Sequence, residues 1–242
     1  MLLNQNHREF VDRLNGAAAF DQKVELARLF CTDHGFQHFV YVFASYPDDI
    51  VNRTAMTQMT FPDEVTDLYA EGGGVQRDPV ALRVNQIVAP EVMDNTEFAR
   101  DERFADHPLT DYFLGHGWAL GVTYPFKSTG GLGAFTAFAD NTSRKGQTGI
   151  VERGLTGDMI GLAEIFHAAL VGSGAAQHMY SITEKERDAL AFIADGDTVS
   201  DLSERLKIGT RAVEKRLARA RRKLGARSTA NAVYRAAVRG II

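Results

Sequence analysis

Residues 181–242 read SITEKERDALAFIADGDTVSDLSERLKIGTRAVEKRLARARRKLGARSTANAVYRAAVRGII. Apolar residues recur in this stretch at helical intervals in four short runs, and glycines fall between the runs, where helices commonly end. Thr183 precedes Glu186 by the spacing of a capping box at a helix start, and Thr198 and Thr229 stand ahead of later runs. The spacing therefore predicts a compact unit of four helices.

The third run of this stretch, between Thr210 and Leu224, is strongly basic. Its apolar residues Val213, Leu217 and Ala220 form one stripe, and arginine and lysine fill most of the other positions. A short basic helix that follows another helix and a tight turn has the properties of a recognition helix for the DNA major groove. The charge pattern alone fits a solvated face equally well, and the position in a four-helix unit favours DNA. The expected base contacts are Arg211, Glu214 and Lys215, and the expected phosphate contacts are Arg216, Arg219 and Arg222.

The two parts of the chain carry charge of opposite sign. Residues 181–242 contain 14 lysines and arginines against 8 aspartates and glutamates, a net charge of +6. The preceding 180 residues contain 13 against 23, a net charge of −10. A basic segment releases counterions from a phosphate backbone, whereas an acidic one is repelled by it. Double-stranded DNA is therefore expected to bind only the C-terminal part.

The C-terminal segment resembles the LuxR-type helix-turn-helix. In that family a Thr and a Glu open the first helix, a Gly ends it, and a Lys-Leu-Gly sequence closes the third helix. The chain departs from the family at Ala212, where a Thr is usual, and at Arg216, where a His is usual. Both residues are compatible with a helix, and Arg216 can still reach a phosphate, so the departures concern the operator sequence. The matching residues are Thr183, Glu186, Gly196 and Lys223, Leu224 and Gly225.

The whole chain has 242 residues, of which 45% are hydrophobic, enough for one medium domain and one small domain. No run approaches 18 uninterrupted apolar residues and the N-terminus lacks the pattern of a signal peptide, so we expect a cytoplasmic protein with no membrane partner. The single cysteine, Cys31, excludes an intramolecular disulfide and follows apolar residues. It is expected to be a core thiol.

The first 170 residues predict an α+β domain. Residues 7–35 have a helical period, and strands are expected at 39–43, 55–60, 121–126 and 134–139, with a Gly-rich turn at 128–133. A last helix is expected from about Gly149 to Leu170, including Ile150, and its apolar face fits either packing on the sheet or a dimer interface. Small residues then suggest a flexible linker. The expected domains are 1–170 and 181–242, joined by a linker at 171–180.

Tyr69 and Asp78 are the most informative pair in the first domain. Tyr69 follows Val65 by one helical turn, and Asp78 precedes Pro79 after a glycine-rich break. In an apolar pocket, a carboxylate accepts a ligand amide N–H and a tyrosine hydroxyl donates to a ligand carbonyl. An Asp before a Pro can also simply cap a helix, and the spacing alone favours that alternative.

The first domain is similar to the acyl-homoserine-lactone-binding domain of LuxR-type quorum-sensing regulators. The resemblance rests on Tyr69 followed by Asp78 and Pro79, and on the strand Gly121, Val122, Thr123 and Pro125. It implies an α/β/α sandwich built on an antiparallel sheet, and a site in which the Tyr and the Asp bond the acyl carbonyl and the amide N–H. It also implies that Thr136 reaches the acyl group and that Phe61 lies on the same wall.

Two positions depart from this resemblance. The family usually has a Trp four residues before the Tyr, where it bonds the lactone carbonyl, and this chain has Val65. A second family Trp near the lactone is replaced by Met93. Loss of a hydrogen bond to a buried carbonyl lowers affinity about ten- to hundred-fold. Either another donor serves or the ligand is not a standard lactone. Trp118 is a candidate replacement, with core packing as its alternative.

Other classes of function have weaker sequence signals. The seven histidines show no metal-ligand spacing, and neither a nucleophile elbow nor a phosphate loop occurs, so an enzyme is not expected. An orphan regulator with a different ligand, or with none, remains the nearest alternative. The resemblance therefore implies a quorum-sensing transcription regulator that binds a small autoinducer, and we expect neither a cofactor nor a metal. It is expected to bind DNA as a homodimer on a roughly two-fold-symmetric operator.

Overall fold

The four predicted strands of the first 170 residues are present, and a fifth strand, Glu91–Asp94, was not predicted. The structure is a computed structural model that describes residues 5–17, 19–44, 55–84, 86–128, 131–139, 149, 151–172, 174, 177 and 180–242. A short 3₁₀ helix covers Gly74–Arg77. In chain order the elements are α1 Gln5–Gly16, α2 Phe20–Asp33, β1 His38–Ala44, β2 Met56–Met59, α3 Glu64–Glu71, α4 Pro79–Arg83, β3 Glu91–Asp94, α5 Asn95–Phe98, α6 Pro108–Gly115, β4 Leu120–Ser128, β5 Gly131–Ala139 and α7 Gly157–Gly172.

The strands form one sheet in the order β2, β1, β5, β4, β3. β1 pairs antiparallel with β2 and with β5, and β3 pairs antiparallel with β4. In this register Val40 lies opposite both Met59 and Thr136, and Met93 lies opposite Gly121. Because successive side chains of a strand point to opposite faces, the register fixes which residues share a face.

One face of the sheet packs on α7 through aromatic side chains. Phe39 of β1 stacks on Phe135 of β5 at 4.7 Å, and Phe166 of α7 meets both rings edge-on at 5.6 and 5.9 Å. All three side chains are fully buried. Cys31 of α2 is also fully buried, and burial raises the pKa of its thiol, so the expected core thiol is confirmed.

The opposite face of the sheet is covered by α3 and α6. Phe61, Val65 of α3, Phe113 of α6 and Phe138 of β5 form a buried cluster, against which Val40 of β1 packs. Helices therefore lie on both faces of an antiparallel sheet. This arrangement confirms the predicted α+β class with an α/β/α sandwich.

Two predicted helices are interrupted. The expected helix over residues 7–35 is divided into α1 and α2, with the break after Gly16. In the last predicted helix, Gly149 and residues 151–154 are helical, and after a break at residues 155–156 the helix α7 begins at Gly157. The hydroxyl of Thr156 accepts a hydrogen bond from Met159 N at 3.5 Å, and the carbonyl of Gly154 accepts one from Tyr124 Oη at 2.6 Å. Ile150 and residues 129–130 of the predicted turn lie outside the described residues.

The C-terminal stretch forms the predicted four helices. The capping box is present, since Thr183 Oγ1 accepts from Glu186 N at 3.3 Å and Thr183 N donates to Glu186 Oε2 at 3.0 Å. Ser228 caps the last helix rather than the expected Thr229, which is its first residue. The left-handed residue between the second and third helices is Lys207 (φ 52°). The helices are α8 Glu184–Ala194, α9 Val199–Leu206, α10 Thr210–Lys223 and α11 Thr229–Val238.

The chain divides into two compact units. Apart from residues 129–131, the division falls between Ala169 and Leu170. Half of the predicted linker, residues 173, 175, 176, 178 and 179, lies outside the described residues, and α7 extends to Gly172. Over the residues that the structure describes, none of the helices combines the length and apolar character needed to cross a bilayer.

The close approach of β1 and β5 predicts a selective effect of a small substitution. In Gly133→Ala, the new Cβ would lie 2.1 Å from Val42 O and 2.8 Å from Phe43 Cα, both backbone atoms. We expect the substitution to lower the free energy of unfolding by about 1–3 kcal/mol through overpacking, measured by thermal or urea denaturation. Gly115→Ala is the control, because no atom lies within 4 Å of its added Cβ. Equal stability of the two variants would contradict this account of the pairing.

Candidate functional site

Tyr69 and Asp78 meet in the structure. Tyr69 Oη donates to Asp78 Oδ2 at 2.9 Å. The other carboxylate oxygen, Oδ1, accepts from the backbone N–H groups of Val80 and Ala81 at 2.8 and 3.1 Å, so Asp78 also caps α4, with Pro79 in its first turn. The two interpretations of the sequence are therefore compatible, because each uses a different oxygen of the same carboxylate.

The surroundings shift the protonation of both groups. Burial raises the pKa of Asp78, while the hydrogen bonds from Ala81, Tyr69 and Val80 act in the opposite direction. Burial also raises the pKa of Tyr69, and the neighbouring Asp78 adds to that shift. Tyr69 therefore keeps its proton and directs it to Asp78. The remaining lone pairs of Asp78 Oδ2 and Tyr69 Oη can accept a donor, whereas donation by Tyr69 to a ligand carbonyl would compete with Asp78.

Thr136 and Met93 are connected through Thr123, which the sequence interpretation assigned to a strand but not to the site. Thr123 Oγ1 donates to Met93 Sδ at 2.8 Å and lies 3.1 Å from Thr136 Oγ1. Thr123 and Thr136 are 0% and 4% exposed, so this pair of hydroxyls is buried, and Thr136 lies on the face of the sheet that α3 and α6 cover. Gly121 and Thr123 are two residues apart on one strand, so their positions lie on the same face of the sheet. The pairing of Met93 with Gly121 places Met93 on that face as well.

Phe61, Val65 and Trp118 belong to one apolar cluster. The Trp118 ring lies 5.2 Å from the Phe61 ring and 4.5 Å from the His38 ring. Its indole Nε1–H donates to Gln37 Oε1 at 3.1 Å. In this geometry Trp118 packs in the cluster and its donor is already engaged, so it has the contacts expected of a core residue.

The predicted ligand residues thus form three contact groups. Tyr69 bonds Asp78, Met93 connects to Thr136 through Thr123, and the apolar cluster holds the remaining three. The groups adjoin, because Val40 packs against the cluster and lies opposite Thr136, while Tyr69 lies one turn after Val65 on α3. Over the described part of the chain, no three His, Cys, Asp or Glu side chains are grouped to hold a metal ion.

Helix α10 buries one stripe and exposes its charges. Val213, Leu217 and Ala220 are buried, as predicted. Among the residues that the structure describes, the expected DNA-contacting side chains apart from Arg219 have no hydrogen-bond or ion-pair partner. Arg216 is partly buried and the others are exposed. Those unpartnered side chains are Arg211, Glu214, Lys215, Arg216 and Arg222.

Glu186 holds the end of α10 against α8. Its side chain is only 2% exposed, and it receives Lys223 Nζ at 2.6 Å and Arg219 Nε at 3.2 Å. Burial disfavours the charged form of Glu186, but the hydrogen bonds from Lys223 and Thr183 outweigh it and lower its pKa. Sequence interpretation recognised Glu186 only as a capping residue and assigned Arg219 only to phosphate. The ion pair is formed between residues far apart in the chain.

Comparisons with known proteins identify a family model in each unit. Residues 20–170 match the model of the autoinducer binding domain. Residues 180–236 match the model of bacterial regulatory proteins of the luxR family. No curated protein sequence matches significantly.

Solved structures share the fold at low sequence identity. SdiA from Escherichia coli has a TM-score of 0.56 and 16% identity, over 98% of this chain and 97% of that chain. SdiA in complex with octanoyl-rac-glycerol has a TM-score of 0.53 and 15% identity, with the same coverage. The N-acylhomoserine lactone dependent LuxR family transcription factor CepR2 from Burkholderia cenocepacia has a TM-score of 0.53 and 20% identity, over 70% of this chain and 96% of that chain. At these identities the likeness concerns the fold.

The Glu186 ion pair predicts that two lysines of α10 differ in their effect on stability. Lys223→Met leaves a buried carboxylate without its shortest contact, and we expect the free energy of unfolding to fall by about 2 kcal/mol or more. Lys215→Met makes the same chemical change at an exposed position, where we expect about 0.5 kcal/mol or less. Urea denaturation of the full chain, followed by circular dichroism, measures both. Similar losses in the two variants would argue against the role given to Glu186.

Proposed function

The chain belongs to the LuxR family of bacterial regulatory proteins and carries an autoinducer-binding domain, and we propose that it couples binding of a small signal to binding of DNA. The family identification confirms the resemblance seen in both parts of the sequence. The proposed activity is binding rather than catalysis, and the small molecule is a signal rather than a cofactor. Because its target is genomic DNA, we place the protein in the bacterial cytoplasm.

We propose an N-acyl-homoserine lactone as the signal. The observation that carries this proposal is the Tyr69–Asp78 pair, which presents acceptor lone pairs beside an apolar cluster. An amide N–H adjoining an acyl chain complements that arrangement, because the carboxylate accepts the N–H and apolar side chains bury the chain. Phe61, Val65 and Trp118 are proposed to form the apolar wall, and Met93 and Thr136 the floor on the sheet.

A second candidate is an acylated signal that is not a lactone. Val65 is 3% exposed among aromatic rings and supplies no hydrogen-bond donor, and the sulfur of Met93 already accepts from Thr123. An acyl glycerol offers hydroxyl donors to Asp78 and does not need an indole donor. The solved complex of SdiA with octanoyl-rac-glycerol makes such a molecule a practical probe.

We propose that α10 is the recognition helix. Arg211, Glu214 and Lys215 at the N-terminal part of the helix are assigned to base edges, and Arg216 and Arg222 to phosphates. Arg219 is assigned a divided role, because its Nε pairs with Glu186 while its side chain is 53% exposed. A homodimer on a two-fold-symmetric operator would present two such helices to successive major grooves.

Asp78→Asn tests the ligand site without removing the helix cap. The amide oxygen of Asn can still accept from Val80 and Ala81, so we expect the melting temperature without ligand to change little. The variant loses the charged acceptor, and its affinity for N-octanoyl-homoserine lactone should fall about ten- to hundred-fold. Asp67→Asn, an exposed position on the same helix as Tyr69, is the control.

Thermal melts of the wild-type protein separate the two candidate signals. A bound ligand at about 100 times its dissociation constant adds about 2.7 kcal/mol to the free energy of unfolding. We expect the lactone to raise the melting temperature. If octanoyl glycerol raises it and the lactone does not, the second candidate replaces the first. A lactone that stabilises the wild type and Asp78→Asn equally would remove Asp78 from the site.

Two substitutions on α10 separate base contacts from phosphate contacts. Arg222→Ala should weaken binding to every duplex and reduce the slope of log K against log salt by about 0.9. Lys215→Ala should instead reduce the preference for duplexes selected from a random library over an unselected duplex, by about 1–3 kcal/mol. Fluorescence anisotropy at several salt concentrations measures both. Wild-type behaviour of both variants would show that another surface contacts DNA.

A further inference from the structure

His107 is a buried histidine whose proton can be assigned. The residue is 5% exposed and caps α6, where its Nδ1 accepts from the backbone N–H of Leu109 at 3.2 Å. An accepting Nδ1 carries no proton, so in the neutral ring the proton is on Nε2. Burial, followed by the charge of Arg77, lowers the pKa of His107, which favours this neutral ring near pH 7.

The Nε2–H group of His107 lacks a hydrogen-bond partner among the described residues. A buried donor without an acceptor is unfavourable and uncommon in folded proteins, because the group has lost its hydrogen bonds to water and has formed no other hydrogen bond. The helix cap explains Nδ1 and the ring orientation, but it does not explain Nε2. The free donor therefore calls for an acceptor that is not part of the described chain.

His107 lies beside the Tyr69–Asp78 pair. Its ring is 6.4 Å from the Tyr69 ring, and Asp78 contributes to the electrostatic environment of His107. An ion pair between Arg77 and Asp106 holds together the two residues that immediately precede Asp78 and His107. The structure therefore brings an unpaired N–H donor into the neighbourhood of the Tyr69–Asp78 pair, although His107 and Asp78 are far apart in sequence.

Gly72 allows the His107 ring to occupy this place. A Cβ on Gly72 would lie 2.3 Å from Cε1 and 2.4 Å from Nε2 of the ring. The ring thus fills the space where any other residue would carry its side chain, at the end of α3. This close packing restricts the ring and keeps its Nε2 edge at the end of the helix that carries Tyr69.

We propose that His107 Nε2–H is the hydrogen-bond donor to the head group of the ligand, where it binds a carbonyl oxygen while Asp78 accepts the neighbouring N–H. The inference rests on the proposed function and identifies the head group as the part of the ligand that the site recognises. A donor and an acceptor in the same neighbourhood complement a head group with an amide N–H and a ring carbonyl. His107 also supplies the donor that Val65 cannot.

Two substitutions of His107 distinguish the role of the Nε2–H donor from the role of Nδ1 in the helix cap. In His107→Asn, the shorter side-chain amide reaches the position of Nδ1 and retains a cap acceptor, but it places no group at Nε2. In His107→Gln, the longer side chain reaches the position of Nε2 with an N–H donor and gives up the cap. The probes are N-octanoyl-homoserine lactone and N-cyclopentyloctanamide, which share the acyl chain and the amide N–H and differ in the lactone oxygens.

We expect wild-type protein and His107→Gln to bind the lactone about ten- to hundred-fold more tightly than the cyclopentyl analogue, measured by titration calorimetry. His107→Asn should bind both probes with similar affinity. In wild-type protein labelled with ¹⁵N-histidine, the Nε2–H proton resonance should move downfield with the lactone and not with the analogue. This measurement applies even if a variant fails to fold.

The outcomes that contradict the proposal are distinct. The assignment of His107 would be overturned if His107→Asn still preferred the lactone as strongly as wild-type protein does. It would also be overturned if the Nε2–H resonance moved with neither bound probe. Both outcomes would leave the ligand class intact. Equal binding of the two probes by wild-type protein would overturn it in the same way. If wild-type protein binds neither probe, the lactone itself is the wrong ligand class, and the assignment of His107 falls with it.

Discussion

The antiparallel pairing of β1 with β5 is the constraint on which the first unit depends. Its register places Phe39 and Phe135 on the face that packs on α7, and Val40 and Thr136 on the opposite face. A shift by one residue would exchange the two sets, because side chains alternate along a strand. The backbones approach so closely at Gly133 that a Cβ there would collide with β1. Packing on one face and the candidate site on the other are thus set by the same hydrogen-bonded ladder.

In the candidate ligand site, the side chains that cap helices are also the candidate ligand contacts. Asp78 caps α4 with one oxygen and receives Tyr69 with the other, while His107 caps α6 with Nδ1 and keeps a donor at Nε2. A cap fixes the side chain to its own backbone, so the second polar atom is held in place before a ligand arrives. Such preorganisation reduces the entropy that ordering a flexible side chain would cost on binding.

In the C-terminal unit, the charged side chains of α10 have two different roles. Glu186 takes Lys223 and the Nε of Arg219 into an ion-pair cluster that holds α10 against α8. The cations at the N-terminal part of the helix, including Arg211 and Lys215, stay exposed. Charge count alone treats all basic residues of α10 as equal candidates for DNA contact. The structure distinguishes those that position the helix from those that are available to a partner.

The sequence by itself determined the four C-terminal helices, the α+β class and the apolar stripe of α10, because these depend on local spacing and capping. Its motifs also carried the resemblance to the family. It also indicated Tyr69 and Asp78, which share a short segment. The interruption of the last helix before Gly157, the Thr123 link between Met93 and Thr136, the Glu186 cluster and the unpaired donor of His107 were decided only by tertiary structure. Each depends on residues distant in the chain. The periodicity of a sequence predicts local structure, but it does not predict which distant groups come within hydrogen-bonding distance.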